Sequence, residues 1–138
     1  MKNPSHEESI LYQHISGSAL EIAVSGTVYK SGCRPNNSVL EDLVINPLPV
    51  NGNQIQQGTC NVNLYVPDLR LLVNNEWQFF PNSERIATLL DLATALLASH
   101  DEDWYGFELA LTSNPMAVPE LKQHYVNLRV DFQFFPTV

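Results

Sequence analysis

Four histidines, two cysteines and fifteen acidic residues are the side chains of this chain that could hold a metal or move a proton. Their spacing argues against each use. His6, His14, His100 and His124 share no ligand interval with one another or with Cys33 and Cys60, whereas zinc sites announce themselves by closely spaced ligand pairs. The histidines are therefore expected at surface or boundary positions. Asp101-Glu102-Asp103-Trp104-Tyr105-Gly106 sets acids at alternate positions before a glycine, as a calcium loop does, but Thr112 stands where a bidentate glutamate should close it. The acidic run reads instead as a solvated end of the preceding helix.

Nucleophilic and acid–base chemistry find no better footing. Neither cysteine carries a family signature, no serine occupies a Gly-x-Ser-x-Gly elbow, and no glycine loop suited to phosphate is present. Glu7-Glu8 and Glu41-Asp42 are carboxylate pairs adjacent in sequence. Glu41 and Asp42 introduce a strand, so their side chains should point to opposite faces and serve no common site. An enzyme would require an unconventional meeting of residues such as Glu108, His124 and Asp131 in one pocket. The expectation is no catalytic residue, no cofactor and no metal.

The elements that position these residues follow from periodicity. Ser5 with Glu8 forms a capping box ahead of Ile10, Leu11, His14 and Ile15, and Gly17 ends this helix. Ser18 and Glu21 frame a short second helix over Ala19 to Val24, although Leu20, Ile22 and Val24 also fit the period of a strand. Thr27 to Lys30 is extended, and the following Ser31 to Ser38 is rich in turn formers. Leu43-Val44-Ile45 predicts a strand, and the stretch from Pro49 to Asn53 a hairpin turn. Cys60, Val62, Leu64 and Val66 alternate with polar residues along the return strand. Cys60 is read as a small core residue, and both cysteines as free thiols. An irregular apolar connection runs from Pro67 to Asn82. Asn82 or Ser83 then caps the longest helix, striped by Ile86, Leu89, Leu90, Ala93, Leu96 and Leu97. Phe107, Leu109 and Leu111 mark one more strand; Val126, Leu128, Val130, Phe132 and Phe134 mark the last. The fold class is α+β: a single domain over residues 1–138, with an antiparallel or mixed sheet of about five strands and the long and N-terminal helices on one face.

Composition limits the partners. The chain has 138 residues and a net charge of −8, and its seven cations (Lys2, Lys30, Arg34, Arg70, Arg85, Lys122 and Arg129) are scattered, a poor match to nucleic acid. Met1 to Glu8 lacks the apolar core of a secretory signal, and no apolar run is long enough for a membrane helix, so a cytoplasmic protein is expected. Trp77, Phe79 and Phe80 lie in a connection, where rigid aromatics either serve as contact anchors or cap the domain's own core. With Arg34 in its loop, and with the loop from Asn114 to Glu120, they are the candidate interface residues.

Several phrases taken together resemble a known family. Ser18-Ala19-Leu20-Glu21-Ile22-Ala23-Val24-Ser25-Gly26-Thr27-Val28-Tyr29 after an apolar helix is similar to the opening of tail-terminator and tail-completion (minor tail) proteins of long-tailed phages and prophages. Arg34-Pro35, Glu41-Asp42-Leu43-Val44-Ile45-Asn46 and Gly58 to Asp68 resemble the central hairpin of that family, and the helix from Ser83 with two closing strands resembles its C-terminal part. The stretch from Pro67 to Pro81 departs from its compact pattern. The resemblance implies a homo-oligomeric ring, commonly a hexamer, that ends the tail tube and offers a surface to the head connector. Such a protein would act in the host cytoplasm during assembly and in the virion tail afterwards. The rival reading is a small acidic monomer that neutralises a basic protein partner, of inhibitor or immunity type.

Overall fold

The structure, a computed structural model, describes residues 3–48 and 56–135. Helix α1 (Pro4–Ile15) is capped by Asn3, whose side chain accepts from the Ser5 amide while the His6 ring accepts from the Asn3 amide at 3.1 Å. The expected box of Ser5 and Glu8 is thus corrected by two residues. Asparagine caps at least as well as serine, and Pro4 suits the first helical position, where no amide proton is needed. Gly17, at φ 76°, takes the left-handed turn that ends the helix. Helix α2 (Ala19–Ala23) begins at Ser18, whose hydroxyl accepts from the Glu21 amide at 3.3 Å, so residues 19–23 are helical rather than extended. Five residues are too few to persist alone. Burial of Leu20 and a 2.6 Å bond from Arg85 to the Ala23 carbonyl hold α2 in place.

Strands β1 (Val28–Tyr29), β2 (Asp42–Pro47) and β3 (Gln56–Pro67) come next. The turn expected over Pro49 to Asn53 lies outside the described residues, but β2 and β3 pair antiparallel from Asp42↔Tyr65 to Pro47↔Cys60. The stretch expected to be irregular is a β-hairpin instead, β4 (Leu69–Val73) and β5 (Glu76–Phe80). Asn74 and Asn75 form its two-residue turn with φ of 53° and 63°, the left-handed pair that a type I′ turn requires and asparagine tolerates. Helix α3 (Ser83–Leu97) is capped by Asn82, which accepts from the Arg85 amide, and it buries Ile86, Leu89, Ala93 and Leu97.

The acidic run does not end α3. The helix stops at Leu97, and β6 (Ser99–Asp101) already pairs with β7 (Tyr105–Thr112). Strand β8 (Met116–Val118) and a 3-10 turn (Pro119–Leu121) lead into β9 (Gln123–Phe134). Among the described residues the main sheet is mixed and seven-stranded, ordered β1-β2-β3-β9-β7-β6, with β8 also on β9, and only β1 and β2 run parallel. The α+β class stands, with more strands than five. Strands β6 and β8 have three residues each, too few to show a period.

Strands β3 and β9 pair over twelve residues each, which brings Cys60, Val62 and Leu64 opposite Val130, Leu128 and Val126. All six are buried, and with Leu11, Ile15, Leu89, Ala93 and Leu97 from the helices they form one core. Each fully buried Leu or Val in it is worth about 1.5–3 kcal/mol. The odd-numbered residues of the same strands, Asn61, Asn63, Asn127, Arg129 and Asp131 among them, face away from the helices. A bulge between Leu109 and Leu111 interrupts the alternation of β7, so Leu111 pairs with Arg129 and is 60% exposed, against the expectation that it lies with Phe107.

One core-side residue is out of character. Glu7 on α1 is fully buried, and neither carboxylate oxygen has a hydrogen-bond partner among the described residues. Burial pushes its pKa from 4.5 up to about 8. The folded chain therefore keeps this proton where the unfolded chain loses it, and stability falls as pH rises through that window, by about 1.4 kcal/mol per pH unit at most. Glu41 acts in the opposite sense: its bond to Arg85 lowers its pKa, so its contribution is present at neutral pH and lost on acidification. Denaturation of the wild type and of Glu7→Gln between about pH 5 and pH 8 should show the variant gaining stability steadily over the wild type as pH rises. A constant difference would mean that the Glu7 carboxyl reaches water in the folded protein.

Candidate interaction surface

Among the described residues the β4–β5 hairpin carries a larger number of exposed large apolar side chains than any other element. Leu69, Leu71, Leu72, Trp77 and Phe79 are 42–57% exposed. Directly paired residues share a face. Leu69, Leu71 and Val73 with Phe80, Gln78 and Glu76 form one side, and Arg70 and Leu72 with Phe79 and Trp77 form the other. Both sides are thus apolar, and the two strands pack chiefly on each other. Of the expected anchors, Trp77 and Phe79 are exposed and Phe80 is half-buried, so the first two cover none of this chain's own core.

Among the described residues, cations rest on the rings of the Trp77 side. The Arg70 guanidinium lies 4.2 Å from the Trp77 ring, and the Lys122 ammonium lies 5.2 Å from the Phe79 ring. The hairpin base is fastened to β9, where the Asp68 amide donates to the Lys122 carbonyl and the Asp68 carboxylate lies 2.6 Å from His124 Nδ1. Lys122 itself is left-handed at φ 53°, part of the turn that places it beside the hairpin.

Arg34 sits elsewhere and faces inward. Its side chain is 10% exposed, and its Nε donates to Asp42 at 2.9 Å. Its terminal nitrogen reaches Gln123 at 3.0 Å and the Leu40 carbonyl at 3.3 Å. The guanidinium lies 4.0 Å from the Tyr65 ring, which stacks on Tyr125. Asp42 is fully buried and also accepts from Ser38 Oγ at 2.6 Å and the Thr27 amide at 3.2 Å. Gly26 is required beside it, since a Cβ there would run into the Asp42 carboxylate. These bonds fold residues 34–40 against the sheet face opposite the helices. Glu41, by contrast, turns to the helices and forms a two-pronged pair with Arg85 at 2.6 and 2.8 Å. The adjacent carboxylates do point apart, as alternation requires.

At the other end of that face, β3, β9, β7 and β6 shape a trough of about 710 Å³. Asp131 lies across from Glu108 and Thr59, and Glu108 from Ser99. Asp101 pairs with Gly106, whose missing side chain leaves room for the Asp101 carboxylate beside it. Asp131 accepts from Thr59 and Arg129 at 3.1 Å each. Glu108 and Asp131 are therefore neighbours, whereas His124 lies seven residues along β9 from Asp131, on the opposite face and roughly 24 Å away. The three do not form one site.

His14 and His100 do meet, with ring centres 5.0 Å apart over Phe107, although nothing in their spacing announced it. His14 Nε2 is 2.9 Å from the Leu96 carbonyl, and His100 lies 3.1 Å from Glu102. Among the described residues no group of three metal-binding side chains converges, and no helix is long and apolar enough to cross a membrane. Cys33 is exposed, Cys60 is buried in the core, and both are free. Compared with protein-family models, with curated proteins and with solved structures, the chain matches none.

Two substitutions separate surface from scaffold. Trp77→Ala should leave the free energy of unfolding within about 0.5 kcal/mol of wild type, since more than half of the residue is in water. Arg34→Ala should cost about 3–5 kcal/mol because it leaves Asp42 buried without its cation. Chemical denaturation of both checks the pair, and a large loss at Trp77 or none at Arg34 would reverse the two assignments.

Proposed function

We propose that this chain is a structural assembly subunit, a tail-terminator or tail-completion protein of a phage or prophage that forms a ring at the end of the tail tube. The observation that carries this reading is the β4–β5 hairpin, which holds five large apolar side chains in water on both of its sides. A two-stranded hairpin is marginal by itself, and an apolar patch rimmed by charge is the mark of a protein contact. Trp and Arg are the residues most enriched among contacts that dominate binding, and here Arg70 lies on Trp77. The resemblance of residues 18–29, 41–46 and 58–68 to tail-completion proteins supplies the kind of assembly, with tail-tube and head-connector proteins as its neighbours.

Function in this reading is burial of surface between folded chains. A ring needs two different contact surfaces on each subunit, because a head-to-tail contact closes only when the rotation returns to its start. Light scattering should give a mass that is a multiple of the chain's, negative-stain images should show rings, and addition to polymerising tail-tube protein should halt tube growth. A strictly monomeric protein with no effect on tube length would exclude the proposal. If that monomer bound a basic protein one-to-one with steep salt dependence, it would establish the neutralising module in its place.

A further inference from the structure

The side of the hairpin formed by Arg70, Leu72, Trp77 and Phe79 bears no carboxylate, and Lys122 leans over its Phe79. In a chain of net charge −8 this is a local concentration of cations on an apolar strip. The trough on the sheet face opposite the helices is its complement. Asp101, Glu108 and Asp131 line it, with Arg129 as the one cation of the lining among the described residues, and its volume of about 710 Å³ is within the range of a ligand pocket, enough for the tip of a hairpin. The trough also lies far from the hairpin on the same chain. The hairpin leaves the sheet after Pro67, whereas the trough is centred on Gly58 and Thr59 near the other end of β3. Eight residues of strand separate Thr59 from Pro67, roughly 27 Å.

From this geometry we infer that the hairpin of one copy docks in the acidic trough of the next, Leu72 and Trp77 entering the trough and Arg70 meeting its carboxylates. The inference rests on the assembly reading above and specifies the two surfaces that reading requires. Because they are different surfaces at opposite ends of one sheet, the contact is head-to-tail and each added copy presents a fresh trough. Asp131 keeps Thr59 and Arg129 as partners, and among the described residues Asp101 and Glu108 enter no ion pair, which leaves them available to Arg70. Opposed charges of this kind set orientation and weaken with salt.

The test uses the full chain with two charge reversals, Arg70→Glu and Glu108→Arg, both at positions exposed in the monomer. Each variant alone should self-associate at least about tenfold more weakly than wild type, and the deficit should shrink as salt rises. An equal mixture should regain assembly, because each reversed hairpin then meets a reversed trough and each native hairpin a native one. Cooperative melting controls for folding; a variant that fails it is replaced by Arg70→Gln or Glu108→Gln, which should weaken association in the same direction. If wild type assembles and Glu108→Arg assembles equally well, the trough is not the acceptor, and the inference falls while the assembly reading stands. If both variants dissociate but the mixture stays dissociated, the two surfaces do not meet. A wild type that is monomeric at every concentration removes the inference and the assembly reading together.

Discussion

The structure depends on one constraint: twelve-residue strands β3 and β9 lie side by side with their apolar residues on one face, and that face must be kept from water. Cys60, Val62, Leu64, Val66, Val126, Leu128, Val130, Phe132 and Phe134 are all essentially inaccessible. Only elements with an apolar stripe of similar width can cover them, which α1 and α3 supply through Leu11, Ile15, Leu89, Ala93 and Leu97. With every helix committed to one face, the opposite face is left to a loop at one end and a trough at the other. The polar residues that alternate along β3 and β9 follow from the same constraint, since the period of two sends each neighbour of a core residue outward.

Glu41 and Asp42 tie the periphery to that centre. They are consecutive at the start of β2, so one reaches over each face of the sheet. Glu41 bonds Arg85 and the Ser25 amide, which joins the end of α2 to the start of α3. Asp42 bonds Arg34, Ser38 and the Thr27 amide, which lays the preceding loop over Tyr65. Each carboxylate is largely withdrawn from water, and each has a guanidinium, as a buried charge must. Arg34 and Arg85 are thereby occupied within the chain. Arg70 and Lys122, resting on the exposed rings of the hairpin, belong to its surface.

The hairpin is the part of the molecule whose stability and use diverge. Its turn is well made, and its root is held by Asp68 through His124 and Lys122. Its side chains, however, gain little from the rest of the fold. A strand that buries one face shows polar residues at alternate positions, but Leu71 and Leu72 are adjacent, as are Phe79 and Phe80. This is why periodicity described the segment as an irregular connection: two apolar faces erase the alternation that marks a strand, and only Asn74-Asn75 remained to signal the turn.

Much of the fold was legible in the sequence for a physical reason. Helix caps, the stripe of α3 and the alternation of β3 and β9 are local patterns, and each is tied to burial of one face by a fixed repeat of the backbone. They sufficed for the α+β class, the central strands and the opposed directions of Glu41 and Asp42, and they left residues 19–23 between helix and strand until the fold decided for helix. They could not show that β9 inserts beside β3, that the bulge at Ala110 turns Leu111 outward, or that Arg34 reaches Gln123 eighty-nine residues away. They also could not gather Asp101, Glu108 and Asp131 in one trough or His14 beside His100. Those facts are set by which strand pairs with which and in what register, a choice made by the whole core at once rather than by any residue's neighbours in the chain.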